Sequence, residues 1–291
     1  MLRAGNCRLF DMPSDMLVFQ NGGMVDSSVV PLEYWDKPGI AVFESMRVYD
    51  GVIFKLEEHL DRLFESMKSV GFQMRFDRGY FREELFHALE KSDYRSAFLR
   101  LTVAEKQNWV FVGPIKPPKA ILYKKGVLLS TATMRKAGPR VSPAQAKASE
   151  YLGAVLSKAE SGLGKRRRNK IHETLFLSQQ GEVEECRTCN ILMVKRDALV
   201  TPSGQGILDG VTRRTVIELA RASGILVLER VIARHDLFNA EEAFLTYTSA
   251  EILPVREVDG RKIGFACPGR WTRLLQVEYR HLVEEYVKLN K

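Results

Sequence analysis

One segment limits the folding of this chain more than any other: Met134-Arg135-Lys136-Ala137-Gly138-Pro139-Arg140-Val141-Ser142-Pro143. Proline cannot donate to a strand ladder or continue a helix, and glycine weakens both. The segment follows the last strand expected in the first half. Strand and helix patterns alternate on either side of it. The chain has 291 residues, 45% of them hydrophobic, so each half can enclose its own core. The expectation is two α/β (α+β) lobes with a cleft between them: an N-terminal domain over 1–133, a linker over 134–143 and a C-terminal domain over 144–291.

The local patterns are readable. Residues 16–25 predict a hairpin around Asn21-Gly22, and 40–54 a second one turning at Asp50-Gly51. Leu56, Leu60, Leu63, Phe64, Met67 and Val70 recur at helical spacing, with Gly71 as the stop. A second helix is expected over 78–91, and strands over 96–103 and 120–130. In the second half, helices are expected over 148–161, 212–222 and 271–289. Strands are expected over 174–177, 189–194, 198–201, 226–231 and 243–247.

No apolar run reaches the length of a membrane span, and the first residues lack a signal-peptide stretch, so the reading is a soluble, cytoplasmic protein. Four cysteines are too few for a disulfide framework. A net charge of +8 raises the question of nucleic acid, but the basic residues are dispersed except for Lys165-Arg166-Arg167-Arg168-Asn169-Lys170. That run reads as a solvated loop. Cys186-Arg187-Thr188-Cys189 alone suggests zinc or redox chemistry. It lacks further ligands, and on a strand its two thiols are expected on opposite faces, so no metal is assigned.

Three features carry chemistry. Lys147 can form a Schiff base. Glu185 can hold a pyridinium nitrogen, with Glu182 and Glu184 as the alternatives, and strand alternation favours Glu185 on the face of Val183. Gly210-Val211-Thr212 can open a helix whose free N–H groups cradle a phosphate. Together these are the attachments that pyridoxal 5'-phosphate needs.

Five blocks in order then carry a resemblance: Phe43-Glu44-Ser45-Met46-Arg47-Val48-Tyr49-Asp50-Gly51; Glu58-His59-Leu60-Asp61-Arg62-Leu63; Lys147-Ala148-Ser149-Glu150-Tyr151-Leu152; Val183-Glu184-Glu185-Cys186-Arg187-Thr188-Cys189-Asn190-Ile191; and Gly210-Val211-Thr212-Arg213 with Thr248-Ser249-Ala250-Glu251-Ile252-Leu253-Pro254-Val255. The chain resembles the class IV aminotransferases over nearly its whole length. This is the fold-type IV pyridoxal-phosphate group of branched-chain aminotransferases, D-amino-acid and (R)-amine transaminases and aminodeoxychorismate lyase. The resemblance implies a smaller N-terminal and a larger C-terminal domain, the cofactor in the cleft between them, and a homodimer.

It also implies roles. Lys147 matches the lysine that bears the cofactor and moves the proton. Arg62, the amides of Val211 and Thr212, and the Thr248-Ser249 turn match the phosphate ligands. Leu208 is expected to pack on the ring face, and Tyr151 to bond the phenolic oxygen. His59 is given no chemistry.

The substrate is less legible. Where one group of D-amino-acid transaminases carries a trapping arginine in V-T-R-G, this chain has Glu105, which should point away or pair with a base. Arg47, Arg100 and Arg187 are then the candidates for a substrate carboxylate, with Arg100 favoured. Phe43, Tyr34 and Trp109 are candidates for apolar wall or, equally, for core. The implied reaction moves an amino group between an amino acid, best a branched-chain or other apolar one, and a 2-oxo acid such as 2-oxoglutarate. A D-amino-acid or (R)-amine transaminase, an aminodeoxychorismate lyase and a non-catalytic basic nucleic-acid-binding protein stand as alternatives.

Overall fold

The computed structural model describes residues 15–26, 41–73, 75–135, 171–203 and 206–291. Lys147, Tyr151, Tyr34, the helix expected over 148–161 and the basic run 165–170 lie outside the described residues.

The first sheet contains strands β1 (Leu17–Gln20), β2 (Gly23–Val25), β3 (Ala41–Tyr49), β4 (Val52–Ile53), β5 (Ala97–Ala104) and β6 (Asn108–Pro114), in the order β2-β1-β6-β5-β3-β4. All its pairings are antiparallel. Asp50 and Gly51 take positive φ of 47° and 85°, which suits a tight hairpin turn. Helices α1 (Leu56–Ser69) and α2 (Arg78–Ser92) bury apolar faces against one side of this sheet. On α1, Leu56, Leu60, Leu63 and Met67 all fall on the inner face. Each fully buried leucine contributes roughly 2 kcal/mol of transfer free energy.

The run after Pro114 departs from expectation. Residues 120–130 do not form one strand. A short helix, α3 (Ala120–Lys125), ends at Gly126 with φ 69°, and β7 (Val127–Arg135) follows. Strand β7 pairs parallel with β15 (Glu251–Val258) and with β8 (Glu173–Leu177), so it belongs to the second sheet. The switch of sheets therefore comes between Pro114 and Val127, ahead of the expected domain limit at 133. The reason is pairing: a parallel partner must be reached by a crossover connection, and the neighbours of β7 lie more than a hundred residues downstream or beyond the Gly/Pro segment.

The second sheet adds β9 (Glu182–Cys186), β10 (Asn190–Lys195), β11 (Ala198–Thr201), β12 (Leu226–Glu229), β13 (Ile232–Ala233), β14 (Glu242–Tyr247) and β16 (Arg261–Lys262). Its order is β12-β11-β10-β14-β15-β7-β8-β9-β13, with β16 on β15. Strand β9 also pairs with β10 through Glu185 and Asn190. That contact closes β10-β14-β15-β7-β8-β9 into a ring. Inside it lie Leu129, Leu175, Val183, Ile191, Met193, Leu245 and Leu253. Outside it, Leu192, Val194, Phe244 and Ile252 pack under α4 (Val211–Ala222) and α6 (Arg270–Leu289). Strand β10 is buried on both faces, which is why it reads as an unbroken apolar run. A short helix, α5 (Arg234–Phe238), completes the described elements.

Candidate active site

Glu185 sits where the ring closes. Between the pairs Leu175–Cys186 and Leu177–Val183, strand β9 carries one residue more than β8. This bulge breaks the expected alternation. Val183 and Cys186 are the buried pair, at 3% and 2% exposure, and Glu185 turns away from the core. The face argument for Glu185 therefore fails, although the geometry around its carboxylate is specific. Glu185 Oε2 accepts a hydrogen bond from the Leu208 N–H at 3.0 Å and another from Asn190 Nδ2 at 3.1 Å. Asn190 Nδ2 also donates to the Leu208 carbonyl at 2.8 Å. Bonds of this kind favour the ionised carboxylate. Of the alternatives, Glu182 bonds Ser178, and Glu184 reaches toward Gly206.

Sequence reasoning assigned Asn190 no role. Its signal was a polar amide opening an otherwise apolar strand. Buried at 5%, it must be satisfied, and it satisfies both the Glu185 carboxylate and the Leu208 carbonyl. Gly210 is required beside it, since a Cβ there would stand 2.2 Å from Asn190 Oδ1.

Arg62 is 4% exposed. Its Nε donates to Glu44 Oε1 at 2.7 Å, its Nη2 to Glu44 Oε2 at 2.6 Å, and its Nη1 to the Asp209 carbonyl at 2.8 Å. Burial alone would lower its pKa, but Glu44 overrides this and the net shift is upward. His59 Nδ1 lies 2.7 Å from Glu44 Oε2. Glu44 and His59 are 1% and 4% exposed. Neither was given a role from sequence, and His59 is a core residue rather than a helix-surface one.

The Asp209 contact brings Arg62 to the start of α4. Gly210 is the N-cap, and no side chain caps this helix. The first backbone bond runs from Arg214 N–H to the Gly210 carbonyl. The amides of Val211, Thr212 and Arg213 thus precede the helical ladder, as at any helix start, and form an anion-seeking end. Across the cleft, Thr248 Oγ1 donates to the Ser45 carbonyl at 3.1 Å, and Arg47 Nη1 lies 3.5 Å from the Ser249 carbonyl. Tyr123 Oη donates to the Ala250 carbonyl at 3.1 Å. The 248–250 turn is therefore held by the first sheet and by α3.

The three arginine candidates separate. Arg47 is engaged by Glu251 at 2.8 Å, which also accepts from the Tyr49 hydroxyl at 2.8 Å. Arg187 Nε bonds Glu173 at 3.3 Å. Arg100 stacks 4.0 Å from the Phe43 ring centroid and bonds Thr102 Oγ1 at 3.2 Å. The register opposes Arg100 to Ser45, which puts it on the β3–β5 face shared by Phe43, Ser45 and Arg47. Glu105 is exposed in the turn after β5, and Trp109 is 1% exposed in a core cluster with Val18, Ala41 and Phe111.

Cys186 and Cys189 do not face opposite ways. The Cys186 N–H donates to the Cys189 carbonyl at 2.8 Å, which closes a turn and lets the two thiols hydrogen-bond each other. Burial pushes both thiols up. Ligation and nucleophilic attack need the thiolate, so these are core groups. Among the described residues no group of three or more His, Cys, Asp or Glu side chains could hold a metal, and no helix is long and apolar enough to cross a membrane.

The sequence pattern of the amino-transferase class IV family matches residues 41–258, which contain every feature just described. The chain belongs to the class IV aminotransferases. Within this pyridoxal-phosphate family it is 33% identical over 282 residues to a Methanocaldococcus jannaschii protein provisionally named a branched-chain-amino-acid aminotransferase, covering 92% of this chain and 96% of that one. It is 30% identical to the branched-chain-amino-acid aminotransferase of Pseudomonas aeruginosa, covering 92% and 93%. The crystal structure of the Thermobaculum terrenum branched-chain amino acid aminotransferase in its holo form superposes with a TM-score of 0.80 at 27% identity, covering 92% and 93%. The residues of this aminotransferase fit the family's cofactor: a pinned carboxylate at Glu185, an uncapped helix start kept open by Gly210, and a buried arginine beside it.

Proposed function

We propose that this class IV aminotransferase moves an amino group between a branched-chain or other apolar amino acid and a 2-oxo acid such as 2-oxoglutarate, using pyridoxal 5'-phosphate. The supporting observation is the junction of Glu185, Asn190 and Leu208 next to the Arg62–Asp209 contact. In support of this reading, the Glu185 carboxylate contacts one end of the short segment 208–212 and the uncapped helix start forms the other. The names of the relatives support the branched-chain side of the reading.

When bound, the cofactor supplies an electron sink for the substrate carbanion. In this reading Glu185 would hold the ring nitrogen, and its two hydrogen bonds fix the carboxylate in position for that task. Arg62, the amides of Val211 and Thr212, and the Thr248-Ser249 turn bind the phosphate. Leu208 covers the ring and Tyr151 bonds the phenolic oxygen. Lys147 would bear the cofactor and, as a free amine, would take up and return the transferred proton. Arg100, stacked on Phe43, receives the substrate carboxylate through its planar fork. Arg47 and Arg187, held by Glu251 and Glu173, serve to shape the walls. We place the enzyme in the cytoplasm as a homodimer, in keeping with its family and with free thiols at Cys186, Cys189 and Cys267.

The test is a panel of L- and D-amino donors assayed with 2-oxoglutarate on protein whose visible absorption band is bleached by borohydride. L-leucine, L-isoleucine and L-valine are expected to turn over fastest. Preferential turnover of D-amino acids, or pyruvate release from aminodeoxychorismate without an acceptor, would overturn the assignment.

A further inference from the structure

Resting on the reading that Arg62 binds the cofactor phosphate, we propose that Glu44 is a positioning residue that aims Arg62 at that phosphate, with His59 as its brace.

A guanidinium is a planar fork of five N–H donors. Glu44 takes two of them along one edge, at 2.7 and 2.6 Å, and the Asp209 carbonyl takes a third at 2.8 Å. These contacts hold the plane at two points, so the ring of donors cannot rotate about its long axis. Two donors remain, one on each terminal nitrogen, on the edge that Glu44 does not occupy. His59 contacts the same carboxylate at 2.7 Å, which fixes the carboxylate that fixes the fork. All three residues are at least 96% buried, so solvent does not loosen them.

The backbone strengthens the argument. Glu44 and Ser45 are neighbours on β3. The side chain of the first orients Arg62, and the carbonyl of the second accepts from Thr248 Oγ1 in the opposite turn. One strand thus contacts both α1 and the 248–250 turn of the second sheet.

Two effects of Glu44→Gln oppose each other. Removing a carboxylate leaves Arg62 with more net positive charge for an anion. The new amide, however, turns an N–H toward the guanidinium or His59, where the carboxylate had accepted three contacts, and the fork shifts. In a site this buried the geometric loss wins, because charge-assisted bidentate contacts depend on alignment.

The experiment titrates full-length protein, stripped of cofactor, with pyridoxal 5'-phosphate and separately with pyridoxal, which lacks the phosphate. Arg62→Ala tests the underlying reading, and Glu44→Gln tests the proposal. For both variants the dissociation constant for pyridoxal phosphate is expected to rise at least ~10-fold, while that for pyridoxal changes less than ~2-fold. If Arg62→Ala shows this selectivity and Glu44→Gln does not, the proposal is wrong and the phosphate reading stands. If Arg62→Ala weakens both ligands equally or neither, the phosphate reading fails and the proposal falls with it. Should Glu44→Gln fail to fold, His59→Gln serves instead. It leaves the Glu44–Arg62 pair in place and should cost ~3-fold in pyridoxal phosphate affinity alone. An unchanged affinity, or an equal loss for pyridoxal, would overturn the proposal.

Discussion

At the scale of single residues, two charged groups of the proposed site are held by quite different means. The Glu185 carboxylate is pinned by two neutral donors, the Leu208 amide and the Asn190 side chain. Glu185→Gln should keep the fold and most of the cofactor while lowering kcat by at least ~100-fold, since the charge tunes the ring rather than anchoring it. Bound cofactor measured by absorbance, beside single-turnover rates, checks this. Holoenzyme running at full speed would show that the role lies elsewhere. Arg100, by contrast, is stacked on Phe43 and turned toward the shared face of β3 and β5. Arg100→Met should raise KM for 2-oxoglutarate ~10-fold or more and leave an uncharged arylalkylamine donor nearly unaffected. Parallel KM measurements for the two substrates decide it, and equal effects on both would remove Arg100 from carboxylate recognition.

At the scale of elements, α4 is the one whose placement matters most, because its first turn forms part of the site. Its anchor is Arg213, 4% exposed, which donates to Thr201 Oγ1, the Pro202 carbonyl and Glu229, at 3.2, 3.0 and 2.8 Å. These contacts tie the helix start to the ends of β11 and β12. Arg213→Ala leaves buried acceptors unsatisfied and should lower stability by about 3 kcal/mol. Urea denaturation measures this directly. A loss below ~1 kcal/mol would mean that apolar packing of Val216, Ile217 and Ala220 holds the helix without help. The helix itself was legible from its spacing, and so was its glycine. Asn190 was not, because its contact with Glu185 depends on two strands closing a ring.

At the scale of the whole molecule, the two sheets meet through polar contacts at Glu251 and Thr248 and through Phe54, which packs on Tyr279. Burial first of all holds the phenols of Tyr49, Tyr247 and Tyr279 well above the ordinary range, and pushes Tyr123 up to about 12. A phenol that is harder to ionise in the folded state than in the unfolded one stabilises the fold fully below its unfolded value. That contribution is lost as pH rises toward the folded value. For Tyr123 the window runs from about 10 to about 12. Stability measured by denaturant titration should therefore fall across that range, and less steeply in Tyr123→Phe. An identical alkaline limb in that variant would show that Tyr123 stays protonated by other means or is not buried in solution.

Several features belong to the sequence alone. The helices at 56–69, 211–222 and 270–289 follow from 3.6-residue spacing, and the hairpin at Asp50-Gly51 from turn chemistry. Family membership follows from short blocks whose residues are dictated by chemistry rather than by packing. What only the tertiary structure decided is everything that depends on pairing between distant segments. The bulge at Glu184-Glu185, the ring closed by Glu185 and Asn190, the transfer of β7 to the second sheet and the Glu44–Arg62–His59 cluster all join residues that local periodicity cannot relate. Period two assumes an unbroken strand, so a single extra residue reassigned the faces of β9, and the turn after Cys186 brought the two thiols together. Buried charge obeys a similar logic. Nothing in the spacing of Glu44, His59 and Arg62 says that they meet, but once α1 packs on β3 the interior admits each of them only because the others are there.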